Sequence, residues 1–397
     1  MVITLIICSL LVVLSLIVSK NRLFSPAVIT SGIWTLIISL YGNIGVKLNP
    51  LTDNFFIAIN TWVILFCLSS LLMQSLHVNK KSIVPSQLTR NILFFFSLAT
   101  FPLLLWKAYE ITKLGVSSNW MTDLRNAAVG NMKNVDINDA NPFYVIVWFV
   151  AYLIELNYFS KENRFRVFAL FLMYSSYAFV TMAKVHFLIL FIGTIYILYT
   201  KNIFKFRQII ISFIVLCGIF IIIQNLRTES KNTDHKLIEN MTNLYLLSPS
   251  AAFGKVIPAS AENFGENVFR ISYAIKYKLG LSSIKPVDTF LPFVNVGVGT
   301  NTYTVLYPFY KDFGVWGVGI FAVFLGLLIG YVYNKAESGN VLFLVIYSFI
   351  ISQIFMQYGA EMFFTNLSLN IKRIIIILIP FFATKYELFV RNNLFKK

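Results

Sequence analysis

Charge is scarce in this chain. Asp, Glu, Lys and Arg make up 13% of its 397 residues, and acids number only 17 against 33 bases, whereas a soluble globular domain carries about 25% charge. Cysteine is scarce too. Cys8, Cys67 and Cys217 each sit inside an apolar run, which suggests neither a disulfide framework nor a thiolate metal site. The three histidines, His77, His186 and His235, are too scattered for a ligand cluster, so no metal cofactor is indicated. There is no glycine-rich lysine loop to cradle phosphates, no Gly-x-Ser-x-Gly elbow and no His-Glu-x-x-His zinc helix. Asp312-Phe313-Gly314 matches a kinase magnesium motif by letters only, because the other kinase elements are missing and the tripeptide falls in the wrong compartment.

What the chain has is long apolar runs. Hydrophobic residues reach 57% and mean hydropathy is +0.73. Runs of about 20 apolar residues cross a bilayer as helices, because unpaired backbone groups are not tolerated in hydrocarbon. The expected fold class is therefore an all-α polytopic membrane protein. Runs near Val2–Val18, Leu23–Tyr41, Asn54–Leu76, Ile92–Ala108, Pro142–Phe159, Val167–Ala183, Val185–Thr200, Gln208–Gln224, Val315–Tyr333, Val341–Gly359 and Ile374–Val390 predict about 11 transmembrane helices, within 10–12.

The first run has no base before it, and Lys20 and Arg22 follow at once, the reverse of a cleavable signal peptide. The N-terminus is then outside. Alternate loops support this: Lys20/Arg22, Lys80/Lys81/Arg90, Lys161/Arg164/Arg166, Lys201/Lys205/Arg207, Lys335 and Arg391/Lys396/Lys397 share one side, with only Glu162 and Glu337 as acids. The positive-inside rule makes that side cytoplasmic, with the C-terminus there. A net charge of +16 spent in such loops sets topology, so nucleic acid is a poor partner.

Two outer loops are long, 109–141 and 225–314. The expected organisation is a bundle over 1–224 of about eight spans, a large outer loop over 225–314 and a closing segment over 315–397 of about three. No internal repeat is visible, which weakens a reading as an inverted-repeat transporter. Within the large loop, Leu237, Met241, Leu244, Tyr245 and Ser248 follow Asp234, a plausible N-cap, and predict a short interfacial helix ended by Ser248-Pro249. Phe264, Val268, Ile271, Ile275 and Leu279 make a second apolar stripe, with Gly280 as C-cap and with Glu266 and Arg270 on the opposite face. That stripe is expected to rest on the bundle or the headgroup layer, presenting Arg270, Tyr273 and Tyr277 to water.

Outer-side cations are informative, since the positive-inside bias should remove them. They are Arg125, Lys184, Arg227, Arg270, Lys276, Lys278, Lys372 and Arg373. An anionic lipid-linked substrate would account for them. Each has an ordinary alternative: a snorkelling side chain for Lys184, a membrane-lipid phosphate for Arg227, and an i, i+4 pair with Glu266 for Arg270. The glycines Gly314, Gly317, Gly319, Gly326 and Gly330 read as close helix packing, with Gly326-x-x-x-Gly330 at the small-residue spacing. Tyr303, Tyr307 and Tyr310 are held as faces on which sugars could stack.

These residues carry a resemblance. Eleven or so spans, one dominant outer loop late in the chain, and its exit through GTNTYTVLYPFYKDFGVWGVG resemble the O-antigen and oligosaccharide repeat-unit polymerases (Wzy-type) of bacterial surface polysaccharide pathways. The topology match covers most of the chain. The residue match is mainly Asn295 to Gly319, including Asn-Thr-x-Thr and Tyr-x-Asp-Phe-Gly-x-x-Gly. Where family members often have arginine in a short outer turn, this chain has Lys184.

The resemblance implies a glycosyltransferase of the bacterial inner membrane, acting at the periplasmic face on undecaprenyl-pyrophosphate-linked oligosaccharide. It implies no cofactor, and it implies a chain-length regulator protein as partner besides membrane lipid. Arg227 and Arg270 are expected on the pyrophosphate. Arg125, Lys184, Lys276, Lys278, Asn301 and Tyr303 are expected to help bind substrate. Asp312 is a candidate base, or else pairs with Lys311 or caps the helix beginning near Val315. A flippase or exporter for the same units, and a ligase joining glycan to lipid A core, are the alternatives.

Overall fold

The computed structural model describes residues 1–78, 84–115, 119–132, 134–135, 142–227, 237–288 and 290–394. Lys80, Lys81, Asp234, Lys396 and Lys397, given roles above, lie outside them. The chain is mostly helical. Among the described residues, seven helices are long and apolar enough to cross a membrane: Pro26–Ile44, Asp53–Ser75, Gln87–Leu114, Phe206–Ile223, Tyr307–Glu337, Val341–Tyr358 and Leu367–Glu387. Val2–Val18, Tyr144–Asn157 and Lys184–Thr200 are shorter apolar helices.

The chain divides into two compact units, one of Met1–Asn79, Thr233–Ser338 and Gln353–Lys372, the other of Lys80–Asn232, Gly339–Ser352 and Arg373–Lys397. The first is built on one helix pair. Gly326 and Gly330 of Tyr307–Glu337 lie against the backbone of Phe66 and Ser70 in Asp53–Ser75, so the small-residue spacing does bring two backbones together. Gly319 meets Thr61 and Leu65, and Asn334 donates to the carbonyls of Met73 and Leu76 at 2.8 and 2.7 Å. Residue numbers rise together along both helices, so the pair is parallel. Asn334 thereby satisfies carbonyls that the end of Asp53–Ser75 leaves open.

At that end Arg22 pairs with Glu337 at 3.0 Å. The polar segment collects at the opposite end. Lys47 pairs with Glu239 at 3.0 Å, Asn49 N–H donates to Val296 O, and Gly297, at φ +96°, would drive a Cβ into Lys47 O. Val294–Asn295 and Gly299–Thr300 form a two-residue antiparallel hairpin.

Inside this segment the structure corrects two expectations. Ser248-Pro249 does not end a helix; a π-helical turn over Thr242–Leu247 leads into Ser248–Phe253, where Pro249 sits in the first turn and needs no N–H partner. Residues Leu247 to Phe253 are all buried, so this stretch is core and not interfacial. The second helix is shorter than its apolar stripe, Arg270–Lys278. Glu266 is turned away from Arg270, because its carboxylate accepts the backbone N–H groups of Glu262 and Asn263 and the side-chain amide of Asn263.

Next to Val315, where a span is expected to begin, the helix is broken rather than capped. Helix Tyr307–Glu337 is interrupted at Gly314, with φ 62° and ψ −152°, a region open essentially to glycine alone. The break leaves carbonyls of the preceding turn open, and these accept from a neighbouring loop: Ala259 N–H to Tyr310 O, and Ser260 and Ala261 N–H to Lys311 O. Space is not the constraint, since a Cβ on Gly314 would meet only Pro258 at 3.8 Å. Gly314→Ala is therefore expected to cost about 1–3 kcal/mol through backbone strain alone. Thermal unfolding in detergent checks this, and a loss under about 0.5 kcal/mol would refute the strain.

The second unit carries a buried ion network at one end. Arg90 grips Glu155 with Nε and Nη2 at 3.0 and 2.7 Å, and Asn163 donates to the same carboxylate at 3.0 Å. Arg166 lies 3.8 Å from Glu155 and donates to Asn91. Two of the cations counted toward inner-side charge thus share a buried acid within a helix.

Candidate functional site

In the first unit, most of the expected site residues are occupied by structure. Asp312 neither caps the helix at Val315 nor pairs with Lys311. Its carboxylate accepts from Asn267 N–H at 3.1 Å, Asn267 Nδ2 at 2.6 Å and Val268 N–H at 2.8 Å, while Lys311 donates to the Tyr307 hydroxyl. Asp312 therefore bolts the 264–269 turn onto the helix break, a role that the Asp-Phe-Gly spelling cannot reveal.

Tyr303, Tyr307 and Tyr310 are all buried. Tyr303 packs on Tyr307 at 4.7 Å and donates to Pro292 O at 3.1 Å. Burial, then the neighbouring Tyr307, pushes its phenol up to about 12. None of the three offers an open face to a sugar, which corrects that reading. Asn301 is half-buried beside the hairpin. Arg270 donates from Nε to Val287 O at 2.6 Å. Burial lowers its pKa against the opposing charge of Asp288, and no carboxylate lies within ion-pair distance among the described residues. Lys276 and Lys278 are exposed in the last turn of the same helix. Arg227 is the final residue of helix Phe206–Arg227, and its side chain lies outside what is described.

The second unit does gather cations, at the end of Arg164–Val180 opposite Glu155. Helix Trp120–Ala128 starts at Asn119, whose side chain accepts Met121 N–H. Its apolar side sets Leu124 and Ala127 against Ile111 and Val180, and Met121 against the cluster around Phe187. That packing fixes Arg125, half-buried, near the turn before Lys184. The turn is tight. Met182 adopts φ 49°, uncommon for a non-glycine residue, and is held there by a fully buried side chain, while Thr181 bonds back to Tyr177 O.

Beyond the turn stand Lys184 and His186. The His186 ring lies 4.7 Å from Tyr177 and 6.4 Å, perpendicular, from Tyr174. Its Nδ1 is buried with no hydrogen-bond partner among the described residues. Arg373, near the start of Leu367–Leu394, stacks its guanidinium 4.5 Å over Phe349. Its charge reaches Tyr174 and Tyr177, and both Arg373 and Arg125 act on His186. Among the described residues no carboxylate lies within ion-pair distance of Arg373.

The arrangement is thus two guanidinium groups acting on one imidazole, two residues from an ammonium, between aromatic walls. It can attract and hold a compact anion. Among the described residues no group of His, Cys, Asp and Glu could hold a metal ion. Sequence reading had counted Arg373 as an outer-side cation but not as a site residue, and had set His186 aside. The signal available was an arginine just inside an apolar helix, where a charge needs a reason to stay. No family model matches the chain, and no curated protein or solved structure matches it either.

Proposed function

We propose that the chain is a polymerase of surface polysaccharide. It would join undecaprenyl-pyrophosphate-linked oligosaccharide units at the outer face of the bacterial inner membrane, with the second unit's cation cluster as the site for the carrier pyrophosphate. The observation that carries this reading is Arg373, stacked on Phe349 with no acid partner among the described residues, beside Arg125 and His186.

In the transfer, an acceptor hydroxyl attacks the anomeric carbon of the donor sugar. The bond from that carbon to the pyrophosphate oxygen breaks, the leaving group takes the electron pair, and the proton of the acceptor hydroxyl passes to water. Negative charge grows on the pyrophosphate as the bond stretches. Guanidinium donors fixed in a weakly polar setting stabilise that charge more than water would. Arg125, Lys184 and Arg373 are assigned to it.

The topology is consistent with this reading. If the three shorter apolar helices and Arg164–Val180 cross as well, the seven long ones bring the total to eleven, the number expected from the sequence. Five crossings, an odd number, would lie between Asp53–Ser75 and Tyr307–Glu337, which would make the two parallel, as they are packed. With the N-terminus outside, the cation cluster would face the periplasm.

The test is the length distribution of the surface glycan. Deleting the gene should leave single repeat units and remove long chains; loss of every repeat unit would instead indicate a flippase or ligase. At normal protein abundance, Arg373→Ala is expected to lower polymerisation on the order of 100-fold. Arg373→Lys should recover only part of it, because an ammonium neither stacks nor binds bidentately. An unchanged ladder in Arg373→Ala would remove the cluster from the mechanism.

A further inference from the structure

The stretch from Arg270 to Lys285 holds four cations, Arg270, Lys276, Lys278 and Lys285, and no acid. It forms a closed finger. At the base, Arg270 Nε and Val287 O tie the outgoing helix to the returning chain. Phe264 packs 5.2 Å from Phe313, and Phe269 lies 6.4 and 6.3 Å from Phe313 and Phe321. With Asp312 holding Asn267 and Val268, the base is fixed where the span leaving Gly314 begins. Trp316, in the first turn of that span, is 85% exposed, the position of an indole at a membrane boundary.

The tip is formed by Gly280 at φ +70°. Its N–H donates to Tyr277 O at 3.1 Å, and Leu281 N–H donates to Lys276 O at 2.8 Å, reversing the chain. In such a helix end the residue after the glycine ordinarily packs back onto the last turn. Leu281 does not: it is 73% exposed and Leu279 is 67% exposed. Two leucines standing out among four cations are unfavourable against water. They fit a surface that is hydrocarbon underneath and phosphate above.

We propose that this finger inserts Leu279 and Leu281 into the leaflet bordering the start of the Val315–Glu337 span, with Lys276, Lys278 and Lys285 on anionic headgroups. The occupant is the lipid surface itself, because the charge is of one sign and the base is continuous with a membrane-crossing helix. The finger belongs to the first unit and uses none of Arg125, Lys184 and Arg373.

The test uses the full chain with Cys8, Cys67 and Cys217 replaced by serine, carrying a spin label at Leu281→Cys. It is reconstituted at one copy per nanodisc of phosphatidylethanolamine and phosphatidylglycerol. Collision with oxygen is compared with collision with a water-soluble nickel chelate. Expected is a severalfold higher oxygen-to-nickel ratio than at exposed Thr302→Cys, close to that at Trp316→Cys, falling when Lys276, Lys278 and Lys285 are all changed to glutamate or when the disc is uncharged. A label at Leu279→Cys repeats the reading should the first variant be poorly folded. A ratio equal to that at Thr302 overturns the proposal. So does shielding from both reagents that appears only with two copies per disc, which would make a second copy the occupant.

Discussion

Gly330→Val is expected to leave little correctly folded protein in the membrane. Even the first carbon of a side chain at Gly330 would stand 2.6 Å from Ser70 O, 2.9 Å from Ser70 Cα and 3.1 Å from Met73 Cβ. Two of these are backbone atoms of Asp53–Ser75 and cannot step aside, so the helices must separate. Nothing would draw them back, since helices in lipid associate through close packing and not through the hydrophobic effect. Overfilling a core usually costs about 1–3 kcal/mol, and here the upper end applies because the strain falls on backbone. The measure is the fraction of detergent-extracted protein that remains monodisperse on heating. Gly319→Ala is the control, because its Cβ would meet only Leu65 Cδ1 at 3.3 Å and Thr61 Cγ2 at 3.5 Å, side-chain ends that can adjust. Equal stability of the two variants would show that the interface is not held by close approach.

Gln357→Leu is expected to cost at least as much. The Gln357 carbonyl accepts the indole N–H of Trp34 at 3.2 Å and of Trp62 at 3.1 Å. Its amide donates to Thr30 Oγ1 at 3.1 Å, and its backbone oxygen accepts Val305 N–H at 2.8 Å. Both tryptophans are buried, and Trp62 stacks on Phe66 and Phe309, so neither indole can turn toward water. Leucine removes the shared acceptor and strands two buried donors at about 1–3 kcal/mol each, roughly 2–6 kcal/mol together. Gln357→Glu keeps the acceptor but loses the donor to Thr30 and is expected to fall between. Thermal unfolding followed by tryptophan emission reports it directly. A leucine variant within about 1 kcal/mol of the parent would mean that the indoles find other partners.

What could be read beforehand follows from how local each signal is. The helices were legible because an apolar run needs only its own residues to declare itself, and Gly326-x-x-x-Gly330 was legible because the spacing is short. The break at Gly314 fell where the span was expected to start, although its cause, a glycine-only backbone conformation, is invisible in composition. Gln357 was not legible. It lies at the end of an apolar run, and its partners Trp62 and Trp34 are 295 and 323 residues away. The partners of Asp312 and Tyr303 were not legible for a related reason: a carboxylate and a phenol look like chemistry until the backbone groups they bond are in view. Arg373 required a fold to bring Phe349 and His186 to it. Polar residues in such a chain are ambiguous until their partners are known, and those partners are distant in sequence.

The parallel pairing of Asp53–Ser75 with Tyr307–Glu337 sets an order of events during synthesis. Between Ser75 and Tyr307 lie residues 76 to 306, 231 of them. At about 5–20 residues per second a ribosome takes roughly 10–50 s to make that stretch. For that interval the earlier helix must wait in lipid, with Ser69 and Ser70 facing tails where the glycines will later sit. Its apolar sequence lets it wait there beside Val2–Val18 and Pro26–Ile44, against which it packs. A fault at Gly330 therefore strikes after nearly every other helix has been inserted, and the cell meets it as a threaded chain that fails to close.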